Sequence, residues 1–186
     1  GNKAAEKSVT FKVDKDGPIL SISEDVNGKY FKTNKELTFS VKDISLVKAN
    51  LNVKKDGEPY TIGTFIEKLF TSSVTHNFTE EGTYKLDLNS KDGKEREKSH
   101  PPVTFTIDKN DPVITASAVE KVKDDKKYHE VTVDVTDKYI DWENTSMKVL
   151  RNGQTLSEIT GKEVAKTHVI EEDGEYGFEI TATDKA

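Results

Sequence analysis

Leu37, Phe39 and Val41 are separated by single polar residues, and Val131, Val133 and Val135 repeat that alternation further along the chain. A period of two points one set of side chains inward and the intervening set toward water, the mark of a half-buried strand. Asp56-Gly57 and Asn152-Gly153 each follow an alternating run and precede another. Such dipeptides supply the positive φ of a tight hairpin turn. Gly82 and Gly174 introduce the next strand pair in the same way. No segment of ten residues carries a 3.6 period, and Phe65-Ile-Glu-Lys-Leu-Phe70 is the one stretch that suits a single helical turn. The pattern predicts an all-β protein.

The pattern also repeats. Phe11-Lys-Val-Asp-Lys-Asp-Gly-Pro18 matches Phe105-Thr-Ile-Asp-Lys-Asn-Asp-Pro112, at an offset of 94 (112 minus 18), and Leu37 through Asp43 match Val131 through Asp137 at the same offset. Leu51-Asn-Val-Lys-Lys-Asp-Gly57 matches Met147-Lys-Val-Leu-Arg-Asn-Gly153, and His76, Gly82 and Tyr84 match His168, Gly174 and Tyr176. The small drift of the offset, from 94 to 96 to 92, puts insertions and deletions in loops, where β-sandwiches tolerate them.

Glu81-Gly-Thr-Tyr84-Lys-Leu86 and Asp173-Gly-Glu-Tyr176-Gly-Phe178 sharpen the fold class. In immunoglobulin-like sandwiches a tyrosine two residues before the inter-sheet cysteine bonds back to the backbone at a strand corner. Tyr84 and Tyr176 suit that role, with Leu86 and Phe178 replacing the cysteine by an apolar contact. The expected architecture is therefore two tandem immunoglobulin-like antiparallel β-sandwiches. Residues 1–14 read as the last-strand segment of a preceding repeat, 15–108 as the first module, and 109–186 as a second module lacking its own last strand.

Composition agrees with two thin cores. Across 186 residues, apolar and charged residues each make up 33%, which suits small modules of roughly 100 residues better than one large enzyme core. A net charge of −6 with both signs interspersed offers no basic face for nucleic acid. No stretch has the roughly 20 apolar residues of a membrane-spanning helix. With no cysteine, neither disulfides nor thiolate metal sites contribute.

Read head to tail, Thr181-Ala-Thr-Asp-Lys-Ala186 runs into Gly1-Asn2, followed by Val9-Thr-Phe-Lys-Val-Asp14 and Gly17-Pro18. This resembles the bacterial immunoglobulin-like repeats of Gram-positive cell-surface and secreted proteins, over nearly the whole chain. The resemblance implies an extracellular module, on the cell surface or secreted, that serves as a stalk, spacer or adhesion unit, or sits beside an enzyme as an accessory domain.

The residues offer little catalytic chemistry. His76 and His168 recur, but with one such histidine per module a three- or four-ligand metal site or an acid–base pair is not assembled, and partly buried strand histidines are expected. Asp108-Lys-Asn110-Asp111-Pro112 groups oxygen donors at the module junction, and with Asp137 and Asp184 it suggests calcium. Lys109 and Lys138 oppose that charge, so a linker stiffened by Pro112 is the preferred reading. Tyr139 and Trp142 either cap the sandwich or bind a glycan or host protein, and capping is preferred because large aromatics are usually buried. Phosphate loops, nucleophile elbows and zinc-protease motifs are absent from the sequence. No catalytic, cofactor or metal residue is assigned, and no cofactor is expected.

One expectation concerns partners. Residues 8–14 match the stretch that precedes the second module, so they read as a strand that completes the second module of a neighbouring copy, head to tail. The alternative is pairing within their own chain.

Overall fold

The computed structural model describes residues 3–65 and 68–186. Their contacts form two compact units: the residues up to Lys29 with Asn34–Thr106, and Tyr30–Thr33 with Ile107–Ala186. Among the described residues the only helical elements are two 3₁₀ turns, Trp142–Asn144 and Gly161–Glu163. The fold is all-β, with antiparallel sheets stacked as two immunoglobulin-like sandwiches in tandem.

In chain order the strands are β1 (Ile19–Ile22), β2 (Tyr30–Phe31), β3 (Lys35–Lys55), β4 (Glu58–Tyr60), β5 (Lys68–Phe78), β6 (Gly82–Asp92), β7 (Glu97–Ser99) and β8 (Val103–Ile107). There follow β9 (Val113–Lys123), β10 (Lys126–Thr136), β11 (Ser146–Arg151), β12 (Gln154–Thr160), β13 (Thr167–Ile170) and β14 (Tyr176–Thr181).

β3 does the work of two strands. Residues 35–43 pair with β1 and β5, whereas residues 47–55 pair with β6, and β4 joins the far end. The register shifts between Asp43 and Leu46, a bulge that bends the strand and hands it from one set of partners to the other. In the second unit the same stretch is interrupted. β10 lies between β13 and β9, β11 lies between β12 and β14, and the segment holding Tyr139 and Trp142 separates them.

The alternating residues fill the cores as their period requires. Leu37, Phe39 and Val41 are fully buried in the first unit, with Val53, Leu86 and Leu88 on the strands of the other layer. In the second, Val131, Val133 and Val135 gather with Met147, Val149 and Val164. Both predicted hairpins carry positive φ, at Asp56 and Gly57 (51° and 93°) and at Asn152 and Gly153 (51° and 77°). That conformation favours a two-residue turn whose twist matches the flanking strands.

The helical turn expected over residues 65–70 is not seen at Lys68–Phe70, which open β5; Ile66 and Glu67 lie outside the described residues. The edge of β3 supplies the reason, because Phe70 pairs with Asp43 and Lys68 with Val47 in a ladder that a lone turn cannot match. Residues 3–15 join no strand, and Val9, Phe11 and Val13 are 86%, 79% and 59% exposed.

Candidate functional site

The corner tyrosine is present in the first unit. The Tyr84 hydroxyl donates to the Glu80 carbonyl at 2.8 Å, and the residue is fully buried. Its ring stacks on Phe105 at 5.1 Å and meets Phe78 and Tyr60 edge-on at 4.9 and 5.3 Å. Burial foremost drives its ionisation above the ordinary phenol range, so this hydroxyl is a structural donor and not an acid. Tyr176, its repeat partner, is only half-buried, with the Arg151 guanidinium 5.9 Å from its ring. Leu86 is buried where the inter-sheet cysteine would stand, opposite Val53, and Phe178 takes that place opposite Val149.

The paired histidines occupy equivalent strands and behave as packing residues. His76, on β5, sits edge-on to Phe78 at 4.7 Å and Tyr60 at 5.8 Å. Desolvation lowers its pKa, and its Nε2 is buried without a hydrogen bond. His168, on β13, places Nε2 3.2 Å from the Val164 carbonyl. His129 is exposed on β10, and His100 places Nδ1 2.7 Å from the Pro101 carbonyl.

The aromatic pair turns inward. Trp142 packs against the second core, and Asp141 holds the turn by accepting from the Glu143 amide at 3.1 Å and from Asn144 Nδ2 at 2.7 Å. Tyr139 meets Tyr30 edge-on at 5.5 Å.

At the junction, Asp108 and Asp184 are both buried, at 4% exposure, while Asp111 is exposed. Lys32, which the linker pattern gave no reason to include, places Nζ 3.1 Å from Asp111 and 3.6 Å from Asp184. Its own pKa is raised, first by the hydrogen bond to Asp111 and then by the charge of Asp184.

A different acidic set is drawn together in the first unit. One carboxylate oxygen each of Asp14, Asp43 and Asp92 lies within 4.8 Å of the others. Asp14 precedes β1, Asp43 stands at the bulge of β3, and Asp92 ends β6. Asp43 Oδ1 accepts from the Ser45 amide (2.8 Å) and hydroxyl (2.7 Å); Asp92 Oδ1 accepts from the Lys94 and Arg96 amides (2.8 and 2.9 Å). Arg96 reaches across, from Nε to Asp92 Oδ2 at 2.6 Å and from Nη2 to Asp14 Oδ1. Burial opposes ionisation of Asp92, but the hydrogen bonds from Arg96 and Lys94 outweigh it and hold the carboxyl below the usual range. Sequence reasoning looked for calcium at the junction and passed over this set. The signal was the repeat itself, because Asp14, Asp43 and Asp92 match Asp108, Asp137 and Asp184.

No protein-family model matches the chain, and no curated protein matches it. Among solved structures it is similar to the fibronectin(III)-like modules of Clostridium thermocellum CbhA, at 14% identity and a TM-score of 0.35, covering 90% of this chain and 88% of that one. A chimeric titin Z1Z2 carrying an exogenous decorin peptide matches at 10% identity and a TM-score of 0.35, covering 91% of each chain. The FN1–FN3 domains of chicken CNTN1 match at 12% identity and a TM-score of 0.30, covering 87% of this chain and 61% of that one.

Proposed function

We propose that the chain is a pair of non-catalytic repeats of a bacterial surface protein, acting as a stalk or spacer whose principal partners are neighbouring repeats of the same protein. The supporting observation is that the repeat extends to the polar devices of the fold. Asp43 and Asp137 each accept the amide two residues on, from Ser45 and Tyr139, and Asp92 and Asp184 do the same with Lys94 and Ala186. Carboxylates that close their own loops fix a module's corners, and a series of such modules gains length without gaining a reaction. The cell-surface setting comes from the resemblance of the sequence to Gram-positive repeats.

The competing reading, glycan or host-protein capture by Tyr139 and Trp142, is weakened by the packing of Trp142 on the core and of Tyr139 on Tyr30. Binding of the native chain and of Trp142→Ala to a glycan array and to immobilised matrix proteins separates the two. The stalk reading expects equal, background signals from both. A signal from the native chain that Trp142→Ala loses would overturn it in favour of a binding module.

A further inference from the structure

We propose that Asp14, Asp43 and Asp92 form a Ca²⁺ site that ties the segment before β1 to the ends of β3 and β6 in the first module. The three carboxylates come from stretches far apart in sequence, and one oxygen of each lies within 4.8 Å of the others. Like charges that close repel, so the gathering calls for positive charge among them. Arg96 supplies one unit, bonding Asp14 Oδ1 and Asp92 Oδ2. Lys94 Nζ, 3.1 Å from the Asp14 carbonyl, brings a second positive charge, and three carboxylates still outnumber the two cations that face them, a negative balance that suits a bound cation.

The second observation is an oxygen that the protein leaves unserved. The Asp14 side chain is 7% exposed, and its Oδ2 is buried without a hydrogen-bond partner even though Oδ1 is held by Arg96. A buried carboxylate oxygen with no donor carries a large desolvation cost, and a cation among the three carboxylates removes it. The Asp92 side chain is fully buried, and its amide bonds from Lys94 and Arg96 fix its orientation. Asp43 is likewise fixed by Ser45, whose hydroxyl also accepts from the Gly93 amide at 3.3 Å. The site is therefore organised in advance.

Ligand chemistry selects the ion. All the donors are hard oxygens, carried by the segment before β1, the bulge of β3 and the end of β6. Ca²⁺ takes six to eight oxygens at 2.3–2.6 Å in flexible geometry, with water completing the shell, whereas Mg²⁺ demands a near-octahedral set and gives up water reluctantly. The same three positions are aspartate in the second repeat, at Asp108, Asp137 and Asp184, and each closes the same kind of turn through the residue two further on. There Lys32 Nζ stands 3.6 Å from Asp184. The proposal is accordingly confined to the first module.

The test is calorimetric melting of the full chain in CaCl₂, in MgCl₂ and in NaCl of matched ionic strength, with amide NMR spectra recorded over the same titration. At Ca²⁺ about ten times its Kd, the first module's melting temperature is expected to rise by roughly 5–10 °C. The amides of Ser45, Lys94 and Arg96 are expected to shift, with weaker responses to Mg²⁺ and none to NaCl. Asp14→Asn and Asp43→Asn, which preserve side-chain volume, should weaken Ca²⁺ binding by about tenfold or more. The proposal is overturned if Ca²⁺ moves neither the melting temperature nor those amides beyond the NaCl control, or if folded Asn variants respond as the native chain does. Should either variant fail to fold, the amide shifts of the native chain still decide, because movement elsewhere in place of Ser45, Lys94 and Arg96 puts the ion at another site.

Discussion

The two modules are copies of one plan that differ in how their cores are closed. In the first, β8 lies beside β6 and buries Val103, Phe105 and Ile107, with the Phe105 ring stacked on Tyr84 and edge-on to Phe78. In the second, Ile170 and Tyr176 replace Phe78 and Tyr84, but β14 is an edge strand with β11 as its hydrogen-bonded neighbour. Beside Tyr176 and Phe178 there is an open groove of about 580 Å³, lined also by Ala116, Ala118, Val131 and Ile170. Tyr84 is fully buried and Tyr176 is not. In the first unit β8 supplies the alternate apolar side chains and the hydrogen-bonded edge beside Tyr84.

If that strand closes the core, emptying its centre should make the first module resemble the second. Phe105→Ala removes a buried ring with two aromatic neighbours, Phe78 and Tyr84, and truncations of this kind cost about 3–5 kcal/mol. Trp142 is the only tryptophan and lies in the second unit, so its fluorescence follows that unit alone. Urea melts are expected to show a lowered transition by circular dichroism and an unchanged tryptophan midpoint. A tryptophan midpoint that falls equally would break the comparison, because the modules would then unfold as one.

The converse experiment supplies a strand to the second module. Residues 8–14 carry Val9, Phe11 and Val13 at the positions of Val103, Phe105 and Ile107, and all three are exposed. A free sheet edge templates strand addition, and alternate side chains filling an apolar groove give it specificity. A synthetic peptide of residues 8–14, at about ten times its Kd, should stabilise the second module by about 1.4 kcal/mol, read as a higher tryptophan midpoint in urea. The Phe11→Asp peptide should do nothing. In the intact chain the same chemistry predicts heterologous, head-to-tail association that grows with concentration and stops when residues 3–14 are deleted. A chain that sediments as a monomer at every concentration, together with an inert peptide, would remove strand exchange from the account.

Much of this was legible in the sequence because it rests on local rules. Period-two alternation located the core strands around Leu37 and Val131, and Asp56-Gly57 and Asn152-Gly153 located the hairpins. Features that depend on how distant segments meet were less accessible. Nothing in the residues around Asp43 shows that β3 runs unbroken through a bulge from one set of partners to the other, since that depends on which edges are offered to it. The carboxylate cluster was missed for a related reason. Asp14, Asp43 and Asp92 look like ordinary surface acids one at a time, and only the fold brings them together, although their recurrence in the second repeat was already visible. Lys32 and Arg96, cations that face the two acidic sets, are likewise brought to them only by the fold.

The smallest expected effect isolates the corner hydrogen bond from the packing around it. Tyr84→Phe keeps the ring on Phe105 and Phe78 and removes only the hydroxyl that donates to the Glu80 carbonyl at 2.8 Å. A net intramolecular hydrogen bond is worth about 1 kcal/mol, so a loss of about 1 kcal/mol is expected from the first module. Tyr176→Phe makes the same chemical change in a half-buried ring that packs against the second core with the Arg151 guanidinium over its face. Phenylalanine retains that face, so the second module should change by no more than about 0.5 kcal/mol. Urea melts of both variants, followed by circular dichroism and by Trp142 fluorescence, give the two numbers side by side. Equal losses would mean that the second module forms the same corner bond in solution, and that the missing ring at its centre does not loosen the strand that carries Tyr176.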